Sequence, residues 1–272
     1  TTGSRNTALG ESALYANTTA SDNTAVGRRA LLSNTTGSQN VAIGNYALDA
    51  STTAGDNTAV GYEALTTNTT GSQNTGVGHR SLILNTTGLG LCAFGVGALD
   101  ANTTGNYNAA FGRSALSGNT TANDNTAFGA FALQANTTGT KNVGIGASAL
   151  KASTTTNNNT AVGYGALQSN TSNQNTAVGS DALRENTTGS NNTSIGWDSL
   201  DANTTGVSNT AVGAEALSTN TTEDYNTAVG YAALEVCTVG SNCAFGYEAL
   251  HLNTTGTRNT ACLLYTSPSP RD

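Results

Sequence analysis

Residues 57–73 read Asn57-Thr-Ala-Val-Gly-Tyr-Glu-Ala-Leu-Thr-Thr-Asn-Thr-Thr-Gly-Ser-Gln73, and Asn74 starts the pattern again. Steps of seventeen residues place repeat starts at 6, 23, 40, 57, 74, 91, 108, 125, 142 and 159. The repeats opening at Asn159 and Asn226 are one residue short, so the remaining starts are 175, 192, 209, 226, 242 and 259. The chain thus holds fifteen complete repeats with a fragment at each end. Self-similarity at a fixed short period is the signature of a solenoid.

Numbering the positions of one repeat as columns 1–17 separates scaffold from surface. Column 4 is apolar, column 5 Gly, column 9 Leu and column 13 Thr in all fifteen repeats. Column 1 is Asn except at Leu91, and column 12 is Asn except at Ser51, Ser153 and Cys237. Column 3 is Ala, Gly or Ser. Before residue 262 every charged residue but Glu223 falls in columns 6, 7, 10, 11, 16 or 17, which are therefore expected to face water. A disordered Asn/Thr/Gly linker would not need a fixed apolar column.

Seventeen residues are too few for a helix-hairpin repeat, which needs about 33, but they fit one coil of a β-solenoid. The expected fold is an all-β repeat solenoid, a parallel β-roll or β-helix, over residues 1–261 as one domain. Asn-Thr-Ala-Val-Gly reads as a short strand, with columns 2 and 4 on one face and the small column 3 on the other. Gly in column 5 suits positive φ or close backbone approach. Columns 6–11 read as a single helical turn or a second strand. Columns 12–15 read as a turn in which Asn and Gly take left-handed conformations. Columns 4 and 9 are expected to form the core. Stacked Asn columns are expected to hydrogen-bond along the axis. Coils about 4.8 Å apart would make a rod of roughly 70 Å, and the absence of Pro before residue 268 suits an unbroken ladder.

Composition excludes several function classes. The formal charge is −7 with only ten basic residues, which argues against nucleic-acid binding. No stretch approaches the ~18 apolar residues of a membrane span. Thr, Asn and Gly fill 114 of the 272 positions. There is no Met, so the sequence is expected to be a fragment whose secretory signal, if any, cannot be read. Residues 262–272, CLLYTSPSPRD, share nothing with the repeat and contain both Pro. They look like the translation of a transposase adapter used in sequencing libraries and are set aside from fold reasoning.

The consensus, carried by Asn23-Thr-Ala-Val-Gly27, Asn40-Val-Ala-Ile-Gly44 and the A-L-x-x-N-T-T-G segment, resembles repeats of phage tail fibres and tail-fibre-like bacterial surface proteins. Many of those end in an endosialidase-type chaperone domain. It is more distantly similar to the shorter head repeats of trimeric autotransporter adhesins. The resemblance covers residues 1–261 and implies a homotrimer on a virion tail or bacterial surface, with a host glycan or receptor as partner. Column 3, being small, is expected to suit close packing between chains.

Chemistry-bearing constellations are sparse. Cys92 and Cys243 occupy column 2 and Cys237 column 12; they read as small buried substitutions, with no disulfide or metal spacing. His79 and His251 sit in columns 6 and 10 without matching ligands. The glycines recur as turn residues, not as a phosphate loop. The chain therefore reads as non-enzymatic, with no catalytic, cofactor or metal residues. Twelve N-T-T or N-T-S sequons in column 12 read as turns rather than glycan acceptors. The candidate surface-binding residues are the column-6 aromatics Tyr62, Tyr164, Trp197, Tyr231 and Tyr247, whose rings suit sugars or partner surfaces, or packing on the next coil. An ice-binding or other surface-templating solenoid is the alternative, resting on the Thr columns. Its weakness is that columns 13 and 14 point to opposite faces in a strand.

Overall fold

In the coil of residues 57–73 about half of the amides leave the coil, and that decides the architecture. Thr58, Leu65, Thr67 and Thr69 donate their backbone N–H to Asn74, Ser81, Ile83 and Thr86 of the following coil, at 2.8–3.3 Å. Gly61, Glu63 and Gln73 donate to Ile43, Asn45 and Gly55 of the preceding one, at 2.8–3.2 Å. Only Ala64→Gly61 and Asn68→Leu65 close tight turns within the coil. Stacked neighbours therefore supply the bonds that a seventeen-residue unit cannot make for itself.

The computed structural model describes residues 2–262. The chain forms two compact units, Thr1–Lys141 and Asn142–Asp272, each a parallel β-solenoid. The first carries β1 (Thr7–Leu9), β2 (Thr24–Val26), β3 (Val41–Ile43), β4 (Thr58–Val60), β5 (Thr75–Val77), β6 (Cys92–Phe94), β7 (Ala109–Phe111) and β8 (Thr126–Phe128). Each pairs in parallel with the next, column on column, as in Thr58↔Thr75, Ala59↔Gly76 and Val60↔Val77. The second unit continues in the same manner with β9 (Val143–Ile145), β10 (Thr160–Val162), β11 (Thr176–Val178), β12 (Thr193–Ile195), β13 (Thr210–Val212) and β14 (Thr227–Val229). It ends with β15 (Val236–Cys237), β16 (Cys243–Phe245), β17 (Leu252–Asn253) and β18 (Thr260–Cys262), where β15 and β17 form a separate two-stranded sheet.

The short repeats do not disturb register. Thr160 still pairs with Thr176 and Val162 with Val178, because the missing residue is lost from the turn after Asn170. There the Asn170 amide reaches Ser172 O at 2.7 Å, whereas Asn68 reaches Gly71 O, one residue further on, at 2.8 Å.

The interior differs from the sequence expectation in one important respect. Column 4 is not core. Val26, Val60 and Val212 are half-exposed, and Ile43, Phe128 and Phe245 are exposed. What fills the interior is column 3 (Ala25, Ala59, Ala211), column 8 (Ala30, Ala64, Ala216) and column 9 (Leu31, Leu65, Leu217), all fully buried. Strand alternation puts columns 2 and 4 together and column 3 opposite. Facing column 3 inward leaves room for one Leu per coil, and the larger column-4 side chains turn outward. Column 3 is therefore interior packing and not a surface for close approach between chains.

Columns 6–11 form neither a helical turn nor a strand in the regular coils, and no helix occurs among the described residues. They make two successive tight turns. Column 7 and column 9 are both left-handed: Glu63 at φ 56° and Leu65 at φ 53°. All fifteen column-9 leucines lie between 51° and 54°. A non-Gly residue held there costs about 1–2 kcal/mol, offset by full burial of the side chain and by the inter-coil bond of its amide. Columns 12–15 were expected to hold the left-handed residues, yet positive φ occurs instead in columns 5, 7, 9 and 17. The column-15 glycines serve close approach. A Cβ on Gly71 would strike Gly88 O of the next coil and sit 2.5 Å from Asn68 Oδ1.

Two buried asparagine ladders run through the coils, as the stacked columns suggest. In column 1, Asn40 accepts at Oδ1 from the Asn57 amide N–H (3.0 Å) and side chain (3.2 Å). In column 12, Asn85 donates to Asn68 Oδ1 at 2.8 Å and Asn102 donates to Asn85 Oδ1 at 2.9 Å. Both ladders converge on one acceptor per coil. Gly71 O receives Asn57 Nδ2 at 3.1 Å and Asn68 Nδ2 at 2.8 Å. Pairing of this kind is what makes a polar interior tolerable; the column-12 exceptions among the described residues are the Oδ1 atoms of Asn17, Asn34 and Asn136 and Ser51 Oγ.

Candidate functional site

Because column 4 faces out, each unit presents an apolar stripe one side chain wide along its strand face. Its largest block lies in the first unit, where Phe94, Phe111 and Phe128 stack in register at 5.0 Å and 5.4 Å between ring centroids. Their ring faces cover one another, so the edges meet solvent. Column 2 lies on the same face, mostly as Thr, with Val41, Cys92, Ala109, Val143 and Cys243 interrupting it. The strand-face cysteines Cys92 and Cys243 are therefore half-exposed, contrary to the expectation of burial; Cys237 is buried, and all are free thiols. Burial raises the Cys237 thiol above its ordinary range. Cys262 ends β18, and the remainder of the adapter-like stretch, 263–272, lies outside the described residues.

Beyond the column-5 glycine, column 6 carries the five aromatic candidates, and all five are exposed. They do not form one continuous array. Tyr62 stacks on His79 at 5.6 Å and meets Tyr46 edge-on at 6.1 Å. Tyr231 stacks on Tyr247 at 5.3 Å. Side-chain hydrogen bonds to Glu63, Glu215 and Glu248 hold the phenols of Tyr62, Tyr231 and Tyr247 above the ordinary range. Tyr164 and Trp197 differ. They lie two coils apart with Ser180 between them and with Ala147 and Ala214 on their outer sides. No ring stacks on either among the described residues.

Column 7 and column 10 beside this stretch are acidic. Asp198, Asp201, Glu215 and Glu235 line a shallow open depression of about 400 Å³. Arg184 lies 3.8 Å from Asp181, 3.0 Å from Glu185 and 3.9 Å from Asp201. Burial, reinforced by Asp181, pushes the Asp198 carboxyl up, and burial with the Asp198 charge does the same to Asp201. Sequence reasoning assigned these columns to solvent and did not single out the group. The signal was the run of acids at 181, 198 and 215 in one column.

Other features take scaffold roles. Column-12 sequon residues such as Asn34, Asn68 and Asn203 are fully buried with hydrogen-bonded amides, which fits the turn reading. The column-13 hydroxyls are also engaged: Thr69 Oγ1 donates to Thr86 O at 3.0 Å and Thr103 Oγ1 to Thr120 O at 3.0 Å. His251 Nδ1 lies 3.2 Å from Glu235. Among the described residues no three His, Cys, Asp or Glu side chains group as metal ligands, and no helix is long and apolar enough to cross a membrane. No protein-family model, curated protein or solved structure matches the chain.

Proposed function

We propose that this chain is a non-enzymatic structural and adhesive segment of a phage tail fibre or bacterial surface adhesin. In this reading it works outside the cell, on a virion tail or bacterial surface, as a homotrimer. Its outer partner is a host-surface glycan or receptor. The observation that carries the reading is the outward column-4 stripe, repeated in every coil. A solenoid whose scaffold is met by Ala, Leu and Asn has no internal need for Val, Ile or Phe in that column. An exposed apolar stripe of this regularity suits burial against like stripes of other chains. Sedimentation tests it: the chain is expected to sediment as a trimer, and Phe111→Asp to shift it towards monomer with an unchanged circular dichroism spectrum. Monomer alone over a broad concentration range would count against trimerisation.

One observation favours the second reading, ice binding or another surface-templating role. Column-2 Thr residues such as Thr58 and Thr75 lie in register on the outer strand face beside column 4. The interruptions at Val41, Cys92, Ala109 and Val143 and the protruding phenyl block weigh against a flat templating face. Clear thermal hysteresis would favour this reading over adhesion.

A further inference from the structure

Tyr164, Ser180 and Trp197 occupy column 6 of three successive coils, and the backbone beneath them is tied at every step. Asp181 N–H donates to Tyr164 O at 2.8 Å, Asp198 N–H to Ser180 O at 3.1 Å and Glu215 N–H to Trp197 O at 2.9 Å. The two aromatic residues are thus fixed two strand spacings apart, about 9.5 Å. They are 62% and 52% exposed. The residue between them is small, so one ring-sized space opens above Ser180. A ring placed there sits about 4.8 Å from the level of each neighbour, inside the 4.5–7 Å range of ring contacts. Among the described residues the same spacing recurs in column 6 at Trp197, Ala214 and Tyr231, but there Tyr247 covers Tyr231 and the Glu215 carboxylate is engaged by the Tyr231 hydroxyl; at Tyr62 the neighbouring space is filled by His79.

Carboxylates lie in the neighbouring column 7, beside this slot. Ser180 Oγ bonds Asp181 Oδ2 at 3.1 Å at its floor. Asp181, Asp198 and Glu215 follow the three column-6 residues directly in sequence or in the next coil. The nearest cation, Arg184, is already shared among Asp181, Glu185 and Asp201. No cation lies within ion-pair distance of the Asp198 carboxylate among the described residues. Aromatic faces together with the unpaired Asp198 carboxylate favour a cationic ring over a neutral or acidic one.

We infer that Tyr164, Ser180 and Trp197 form a saccharide subsite that takes an amino-sugar ring, with its ammonium directed at Asp198. The inference rests on the adhesive reading and names the glycan chemistry it uses. The slot lies past the column-5 glycine, clear of the strand face assigned to chain association.

Trp197 is the only tryptophan in the sequence, so its fluorescence reports on this slot and on the space above Ala214, and Ser180→Tyr tells the two apart. The full chain is titrated at about pH 6 with a β-1,4-linked glucosamine tetramer, whose amines are then protonated, and in parallel with a β-1,4-linked glucose tetramer. A saturable fluorescence change is expected with the amino sugar and binding about tenfold weaker with glucose, the scale of one charge-assisted hydrogen bond. Ser180→Tyr fills the slot with a ring that column 6 tolerates elsewhere and is expected to abolish binding with the solenoid spectrum unchanged. Asp198→Asn is expected to weaken it several-fold. No saturable change, equal binding of both tetramers, or full binding by the Ser180→Tyr chain would each overturn the inference. None of these results bears on the sedimentation that tests the trimer.

Discussion

Asn34 lacks what Asn68 has, a donor one coil further on. The Asn68 Oδ1 accepts from Asn85 at 2.8 Å. The next residue in Asn34's column is Ser51, which has no amide to offer, and both Asn34 Oδ1 and Ser51 Oγ are buried without a partner. Column 15, three residues on, is not by itself the cause, since Asn119 keeps its ladder bonds with Ala122 there. Column 15 carries Ala54 in that coil, and in coils with Gly there the column-12 Oδ1 stands where a Cβ would be, 2.5 Å away at Gly71 and 2.6 Å at Gly105. Gly at column 15 gives a column-12 Asn the most room, and Ala there still admits it. Ser51→Asn, made in a chain already carrying Ala54→Gly, should complete the ladder from Asn34 to Asn68. The expected gain over Ala54→Gly alone is about 1–2 kcal/mol in urea unfolding, the cost of a buried acceptor left unpaired. An unchanged midpoint would show that Asn34 does not lack a partner in solution. The sequence revealed the Asn columns by recurrence; it could not reveal which oxygen each amide meets, because that depends on chain crossing the coil interior.

At the scale of the strand and its turn, the period and the strand were legible, and the direction of the strand was not. Thr58-Ala-Val60 satisfies the alternation rule whichever face is buried. Hydrophobicity alone favoured burying Val60, and the structure buries Ala59. The deciding quantity is interior width, a property of stacked coils that no single repeat displays. The turn was hidden for a related reason. Leucine has no local preference for φ near +53°, so Leu65 reads as helix or strand until the neighbouring coil supplies Ser81 O to its amide. Column 5 was easier, because Gly recurring at one place before a sharp change of direction points to positive φ or close backbone approach. Gly61 lies at φ 138°, and an added Cβ would come within 2.7 Å of the Gly78 carbonyl carbon. Gly61→Ala must therefore both strain the turn and push two coils apart. A loss of about 2 kcal/mol or more is expected in thermal or urea unfolding. A near-neutral effect would mean that the coils tolerate wider spacing than the ladder distances imply.

At the scale of the chain, charge is distributed unevenly between the two units. Residues 1–141 hold seven acidic and six basic residues, and residues 142–272 hold ten and four. Most of the formal −7 therefore belongs to the second unit, and its acids concentrate where successive coils stack Asp181, Asp198 and Glu215 in one column. Stacking at one strand spacing forces like charges together, the solenoid counterpart of a destabilising cross-strand pair. Burial and mutual repulsion raise the Asp198 and Asp201 carboxyls above the ordinary aspartate value. A raised folded-state pKa means that the fold favours the protonated acid. Below the unfolded-state value both states are protonated and the fold loses nothing. As pH rises through the unfolded-state value towards the folded one, ionisation costs the folded state more than the unfolded one, and stability falls. Asp201→Asn removes that cost at the price of a 3.9 Å contact to Arg184, which is partly exposed and contributes little. The variant is therefore expected to melt a few degrees higher than the parent at about pH 7, and the difference is expected to vanish near pH 3. A difference that persists at low pH would assign the effect to packing rather than charge. A lower melting temperature at neutral pH would show that the Arg184 contact outweighs the burial of Asp201.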